Sequence, residues 1–92
     1  MKTKPGYRTL ERIVKGFANH RRIQMLDLLE HEPELSVEDI AERVKIGYEN
    51  ASDHLRKMAI AGLVMKRYEK NTVRHKLTDR GKSILVFCKK LE

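Results

Sequence analysis

The side chains best suited to chemistry are few and widely spread. Four histidines, His20, His31, His54 and His75, fall on different segments with no His-x3-His spacing among them. Zinc needs ligands gathered by spacings of that kind, so no zinc site is expected. The single cysteine, Cys88, excludes an intrachain disulfide and cannot form a thiolate cluster alone. Ser52 and His54 stand two apart in what reads as one helix, so they do not face each other as nucleophile and base. Glycine-rich phosphate loops are absent. The sequence therefore predicts no enzyme, no metal site and no cofactor.

What remains is charge and hydrogen bonding. Twenty Lys and Arg outweigh 13 Asp and Glu for a net charge of +7, which suits a polyanionic partner. Two segments carry the relevant residues. In the first, Tyr48, Glu49, Asn50, Ser52, Asp53, Arg56 and Lys57 lie opposite a helical apolar stripe of Ala51, Leu55, Met58 and Ala59. In a DNA major groove, Asn50 suits adenine and Asp53 can accept from cytosine, while Ser52 or Tyr48 reaches phosphate. An ordinary solvated face uses the same residue types, with Glu49 and Asp53 repelling at i,i+4. Because those acids offset Arg56 and Lys57, a second reading stays open, in which this helix docks a protein.

The second segment concentrates Lys66, Arg67, Lys70, Arg74 and Lys76 around Asn71. Arg67, Lys70 and Arg74 lie nearest the tip and are best placed for phosphate contacts. Charge there also discourages edge-to-edge pairing of a short ribbon. Lys2, Lys4 and Arg8 offer a further phosphate-touching arm, against the plainer reading of a disordered tail. No aromatic stacking platform accompanies these cations, which argues against RNA.

The elements that must hold these residues follow from periodicity. Leu10, Ile13, Val14, Phe17 and Ala18 form a first helical stripe. Asn19 caps a second helix carrying Ile23, Met25, Leu26, Leu28 and Leu29, and Pro33 ends it. Ser36-Val37-Glu38-Asp39 opens a third, with Val37, Ile40, Ala41 and Val44 inward. Lys45-Ile46-Gly47 is a turn, with Gly47 expected to supply unusual backbone angles. The stripe from Ala51 to Ala59 makes the fourth helix, stopped by Gly62. The period then changes: residues 63–69 and 72–77 read as two strands about a Lys70-Asn71 turn, with positive φ expected at Asn71. Thr78 caps a last helix running to about Lys90, with Asp79 at its positive end. The fold class is mainly α with a small β-hairpin. Helix-turn-helix followed at once by a hairpin leads to the winged helix-turn-helix fold.

Particular stretches strengthen that reading. Phe17-Ala18-Asn19-His20-Arg21-Arg22-Ile23-Gln24-Met25-Leu26 resembles the opening of the second helix in ArsR-type repressors. Leu35-Ser36-Val37-Glu38-Asp39-Ile40-Ala41 is similar to the start of their helix-turn-helix. Ser52-Asp53-His54-Leu55-Arg56-Lys57-Met58 and Ala61-Gly62-Leu63-Val64 resemble their recognition helix and its exit into the wing. Leu77-Thr78-Asp79-Arg80-Gly81-Lys82 resembles the wing-to-helix junction of MarR-type and PadR-type regulators. The likeness spans about residues 10–90 and implies a transcriptional regulator of the broad ArsR/MarR-like superfamily. It departs from metal sensors: Ser36-Val37-Glu38 stands where two cysteines flank a valine, and the last helix lacks an Asp-x-His pair. A hydroxyl and a carboxylate do not replace thiolates for a soft metal.

A chain of 92 residues makes one domain, residues 1–92, with a thin core. No apolar run follows the charged start as in a signal peptide, and none is long enough to span a bilayer, so a cytoplasmic location without membrane contact is expected. The last helix has surplus apolar residues in Ile84, Leu85, Val86, Phe87, Cys88 and Leu91. The resembling families dimerise through their first and last helices. That resemblance assigns Leu10, Ile13, Phe17, Ile84, Phe87 and Leu91 to a seam between two copies. The expected protein is a homodimeric repressor of double-stranded DNA without the metal switch; no residue names a small-molecule effector.

Overall fold

Side-chain caps start three of the helices where the sequence places them. In the computed structural model, which describes residues 6–92, Asn19 Oδ1 accepts from the backbone N–H groups of Arg21 and Arg22 at 2.9 and 3.2 Å. Ser36 Oγ accepts from the Asp39 N–H at 3.2 Å, and Thr78 Oγ1 accepts from the Gly81 N–H at 3.0 Å. Each cap satisfies a donor that the helix cannot pair itself, and its loss costs about 1 kcal/mol. Lys2 and Lys4 lie outside the described residues.

The architecture is a winged helix-turn-helix. Helices α1 (Tyr7–Phe17) and α2 (His20–His31) precede a short strand β1 (Leu35–Ser36). Helices α3 (Val37–Val44) and α4 (Tyr48–Ile60) form the helix-turn-helix, strands β2 (Val64–Glu69) and β3 (Thr72–Leu77) form the wing, and α5 (Asp79–Lys90) follows. No helix among the described residues is long and apolar enough to cross a membrane.

Three local expectations are corrected. The sheet is three-stranded, not a free hairpin: β3 lies between β2 and β1, antiparallel to both, with Leu35 opposite His75 and Ser36 opposite Arg74. Two residues carry too little pattern to read as a strand; their partner lies far along the chain. The positive φ at the helix-turn-helix falls on Lys45 at 63°, while Gly47 is extended and caps α4. Reversal is needed where α3 ends, two residues before the glycine. At the wing tip, Lys70 at 52° takes the left-handed conformation, not Asn71.

The core lies between α2, α3, α4, β3 and α5, around Met25, Leu26, Ile40, Leu55, Met58 and Leu63. His75 is the buried polar residue within it. Gly62, at φ 77°, turns the chain out of α4. Gly81 then lets α5 approach, since a Cβ there collides with the Leu63 carbonyl oxygen. On α5, Leu85 is buried and Ile84 half-buried, whereas Val86, Phe87 and Leu91 are exposed. On α1, Leu10 and Val14 are exposed and Ile13 packs against the core. Phe17, expected at a seam between copies, is instead buried inside this one because α1 turns it onto the core.

Candidate nucleic-acid interface

The helix-turn-helix leaves the start of α4 bare. Ala51, Leu55 and Met58 anchor the helix from below, so Tyr48, Glu49 and Asn50 stand exposed in its first turn. Gly47 provides no side-chain cap, and the backbone N–H groups of that turn remain available to an acceptor outside the helix. Ser52 and Asp53 are half-buried one turn on, and Arg56 and Lys57 are exposed beyond them.

A polar cleft of about 370 Å³ joins this helix start to the wing. Tyr48 lines one side, residues 71–74 the other, and the first turn of α3 closes it. The structure thus brings Tyr48, Asn71 and Arg74 together. It does not bring Lys57 there, because Lys57 lines a separate cavity beside α1.

Several of the expected cations are engaged. Asp53 receives Arg56 Nη2 at 2.6 Å and Lys57 Nζ at 3.1 Å. Hydrogen bonds from Arg56, then Lys57, hold its carboxyl below the usual range. On the outer face of the wing, Arg67 and Arg74 are opposed across the strands and share Glu69, at 3.0 and 3.4 Å. Arg67 also pairs with Glu34, whose backbone carbonyl accepts from Arg74 Nη1 at 3.1 Å. Glu34, then Glu69, raises the Arg67 guanidinium pKa, and Arg67 is the main cause of the lowered Glu69 pKa. Lys66, Lys70 and Lys76 carry no ion pair among the described residues.

Sequence reasoning missed both acids. Glu69 was legible, since period-two alternation puts it on the face of Arg67 and opposite Thr72, beside Arg74. Glu34 gave no signal, because it reaches the wing only through β1. His54 is half-buried, and its Nδ1 accepts from Arg22 Nε at 2.9 Å. Among the described residues no three His, Cys, Asp or Glu side chains gather in a metal-binding group. Ser36 spends its hydroxyl on the α3 cap.

The profile of the bacterial regulatory protein arsR family matches residues 19–66, more than half of the chain, from the α2 cap into β2. The chain belongs to the ArsR family. The MarR-type likeness stays confined to residues 77–82. Among solved structures, this ArsR-family chain is similar to a homodimeric winged helix-turn-helix DNA-binding domain from Mycobacterium bovis: 26% identity, 99% of this chain, 89% of that one, TM-score 0.82. HlyU from Vibrio cholerae shares 29% identity over 97% of each chain, with a TM-score of 0.80. The transcriptional regulator HlyU from Vibrio vulnificus shares 31% identity over 89% of this chain and 85% of that one, with a TM-score of 0.73. No curated protein sequence matches the chain.

Proposed function

We propose that this ArsR-family chain is a cytoplasmic, homodimeric regulator that binds double-stranded DNA and represses by occupying promoter sites. The observation that carries the reading is the cleft in which the exposed start of α4 meets the wing, Tyr48 facing Asn71 and Arg74. A helix entered N-terminus first reads base edges in the major groove, and a basic ribbon beside it grips the flanking phosphates. Asn50 is the base reader. Tyr48, Ser52 and the bare N–H groups of α4 position the helix on phosphate, with Asp53 set to meet cytosine. Lys70 and Asn71 lead the wing contacts, and Arg67 and Arg74 follow by exchanging carboxylates for phosphates. Arg56 and Lys57 contribute once Asp53 releases them. In a two-fold dimer the two α4 helices enter successive major grooves about 34 Å apart. Ser36 and Glu38, in place of thiolates, support regulation without a soft-metal switch.

The alternative of a protein-docking helix needs an acidic face, and Asp53 is already neutralised by two cations. The deciding experiment is selection from random duplex DNA, then binding of the recovered site against a scrambled duplex. A single palindromic motif is expected. Asn50→Ala should cost roughly 1–3 kcal/mol on that motif and little on the scrambled duplex. Recovery of no motif, or equal losses on both duplexes, would refute the assignment.

A further inference from the structure

A second cavity, about 400 Å³, opens at the other end of α4 from the wing cleft, between α1, the last turns of α4 and the start of α5. Its floor is apolar, formed by Ile13, Gly16, Ile60 and Ala61. Ile60, which lines the cavity, is 75% exposed. Three guanidinium groups, those of Arg12, Arg22 and Arg80, stand around this floor.

Two of those groups are fixed in place by neutral acceptors. Arg22 donates from Nε to His54 Nδ1 at 2.9 Å and from Nη1 to the Lys15 carbonyl at 3.0 Å. Arg80 donates from Nη1 to the Ala61 carbonyl at 2.9 Å. Burial, then the charge of Arg22, holds His54 below the usual imidazole range, so its Nδ1 stays free to accept. Elsewhere Arg43 pairs with Glu32, Arg56 with Asp53 and Arg67 with Glu34, while Arg21, like Arg22 and Arg80, is held by neutral acceptors, Gln24 and the Val44 carbonyl. Around the cavity none of the three has an ion pair among the described residues and no acid lines it, whereas the two lysines of the lining, Lys15 and Lys57, pair with Glu11 and Asp53 outside it.

We propose that this cavity binds a small amphipathic organic anion, a carboxylate on an aliphatic tail. The carboxylate sits among the guanidinium groups, which present paired donors in a planar fork. The tail lies along Ile13, Ile60 and Ala61. Inorganic anions gain nothing from that apolar floor, and aliphatic amines or alcohols gain nothing from the arginines. The volume is within the usual range for small-molecule sites, about 300–1,000 Å³. Arg12, Ile13 and Gly16 occupy one face of α1, whereas the exposed Leu10 and Val14 lie about a third of a turn round the helix. A ligand therefore uses a different face of α1 from Leu10 and Val14, and Ile13, expected at the seam between copies, lies on the cavity side instead.

The test needs no DNA, so it fails or succeeds independently of the proposed regulatory role. Octanoate is titrated into the isotopically labelled full chain, and backbone resonances are followed, with octylamine, octanol and inorganic phosphate in parallel. Saturable shifts at Gly16, Ile60 and Ala61 with octanoate alone are expected. Arg12→Glu should weaken the interaction by at least about tenfold, the scale of one lost charge-assisted contact. Ile60→Glu should do the same from the apolar side, and the high exposure of Ile60 makes that variant safe for folding. Absence of saturation, equal binding of octylamine, octanol or phosphate, or unchanged octanoate affinity in both folded variants would overturn the proposal.

Discussion

Asp53 illustrates how much a single carboxylate governs the character of this helix. Sequence spacing predicts repulsion from Glu49, but the same spacing rule also puts Arg56 and Lys57 at i+3 and i+4, and the structure follows those attractions. The trio leaves one net positive charge where two cations would otherwise face solvent. Asp53→Asn should therefore strengthen binding to the scrambled duplex and steepen its log–log salt dependence, by about 0.9 for each phosphate newly neutralised, while the selected duplex forfeits the cytosine contact. Affinities on the selected and scrambled duplexes over a range of salt concentrations test this. Unchanged affinity and slope would show that Arg56 and Lys57 stay away from DNA. At this scale the sequence was a partial guide: residue types and exposure at Tyr48, Asn50 and Lys70 were legible, and so was Glu69 beside Arg67 and Arg74, but the pairing of Arg67 with Glu34 was not. Ion pairing across strands depends on which side chains the fold brings within 4 Å, and Glu34 arrives from far along the chain.

Elements whose causes are local were the readable ones. Asn19, Ser36 and Thr78 cap where their hydroxyl or amide oxygen meets a helix start, within three residues of their partners. Strand β1 depends on β3 for its existence, and no local signal marks it. With β1 unseen, His75 was also passed over, although it is 1% exposed and its Nδ1 lies 3.2 Å from the Leu35 carbonyl oxygen. Burial pushes its pKa below the ordinary value of about 6.5, outweighing the Leu35 hydrogen bond, and Lys66 adds to the lowering. His54 is shifted the same way, first by burial and then by Arg22. As pH falls through about 6.5 the unfolded chain takes up these protons before the folded one, so stability present above that pH is lost below it. Urea midpoints should accordingly fall between pH 7.5 and 5.5. Substituting Gln for His75 should flatten that dependence, whatever it does to absolute stability. An identical pH dependence in parent and H75Q would show that the sheet histidine does not contribute.

The whole molecule is a thin body, 41 by 32 by 21 Å, with its terminal helices on the outside. Both α1 and α5 pack against α2, and both keep large apolar side chains in solvent: Leu10 and Val14 on one, Val86, Phe87 and Leu91 on the other. Two-fold association would cover each such patch on both subunits at once. Phe87→Glu should therefore convert a dimer to monomers in sedimentation at micromolar concentration, with circular dichroism unchanged. Binding to a full palindrome should then weaken far more than binding to a half-site, because linked half-sites gain from effective concentration. A monomeric parent, or a folded variant that stays dimeric, would remove these helices from the interface. The three-stranded sheet also has a consequence for engineering. Strand β1 braces β3 only at Arg74 and His75, so the far end of the ribbon, around Lys70 and Asn71, projects past its support. Reach toward a partner is thus an adjustable dimension: each residue added to both strands at the tip lengthens the ribbon by about 3.4 Å. An insertion between β1 and α3 has no such latitude, because Ser36 is both the last residue of the brace and the cap of the helix.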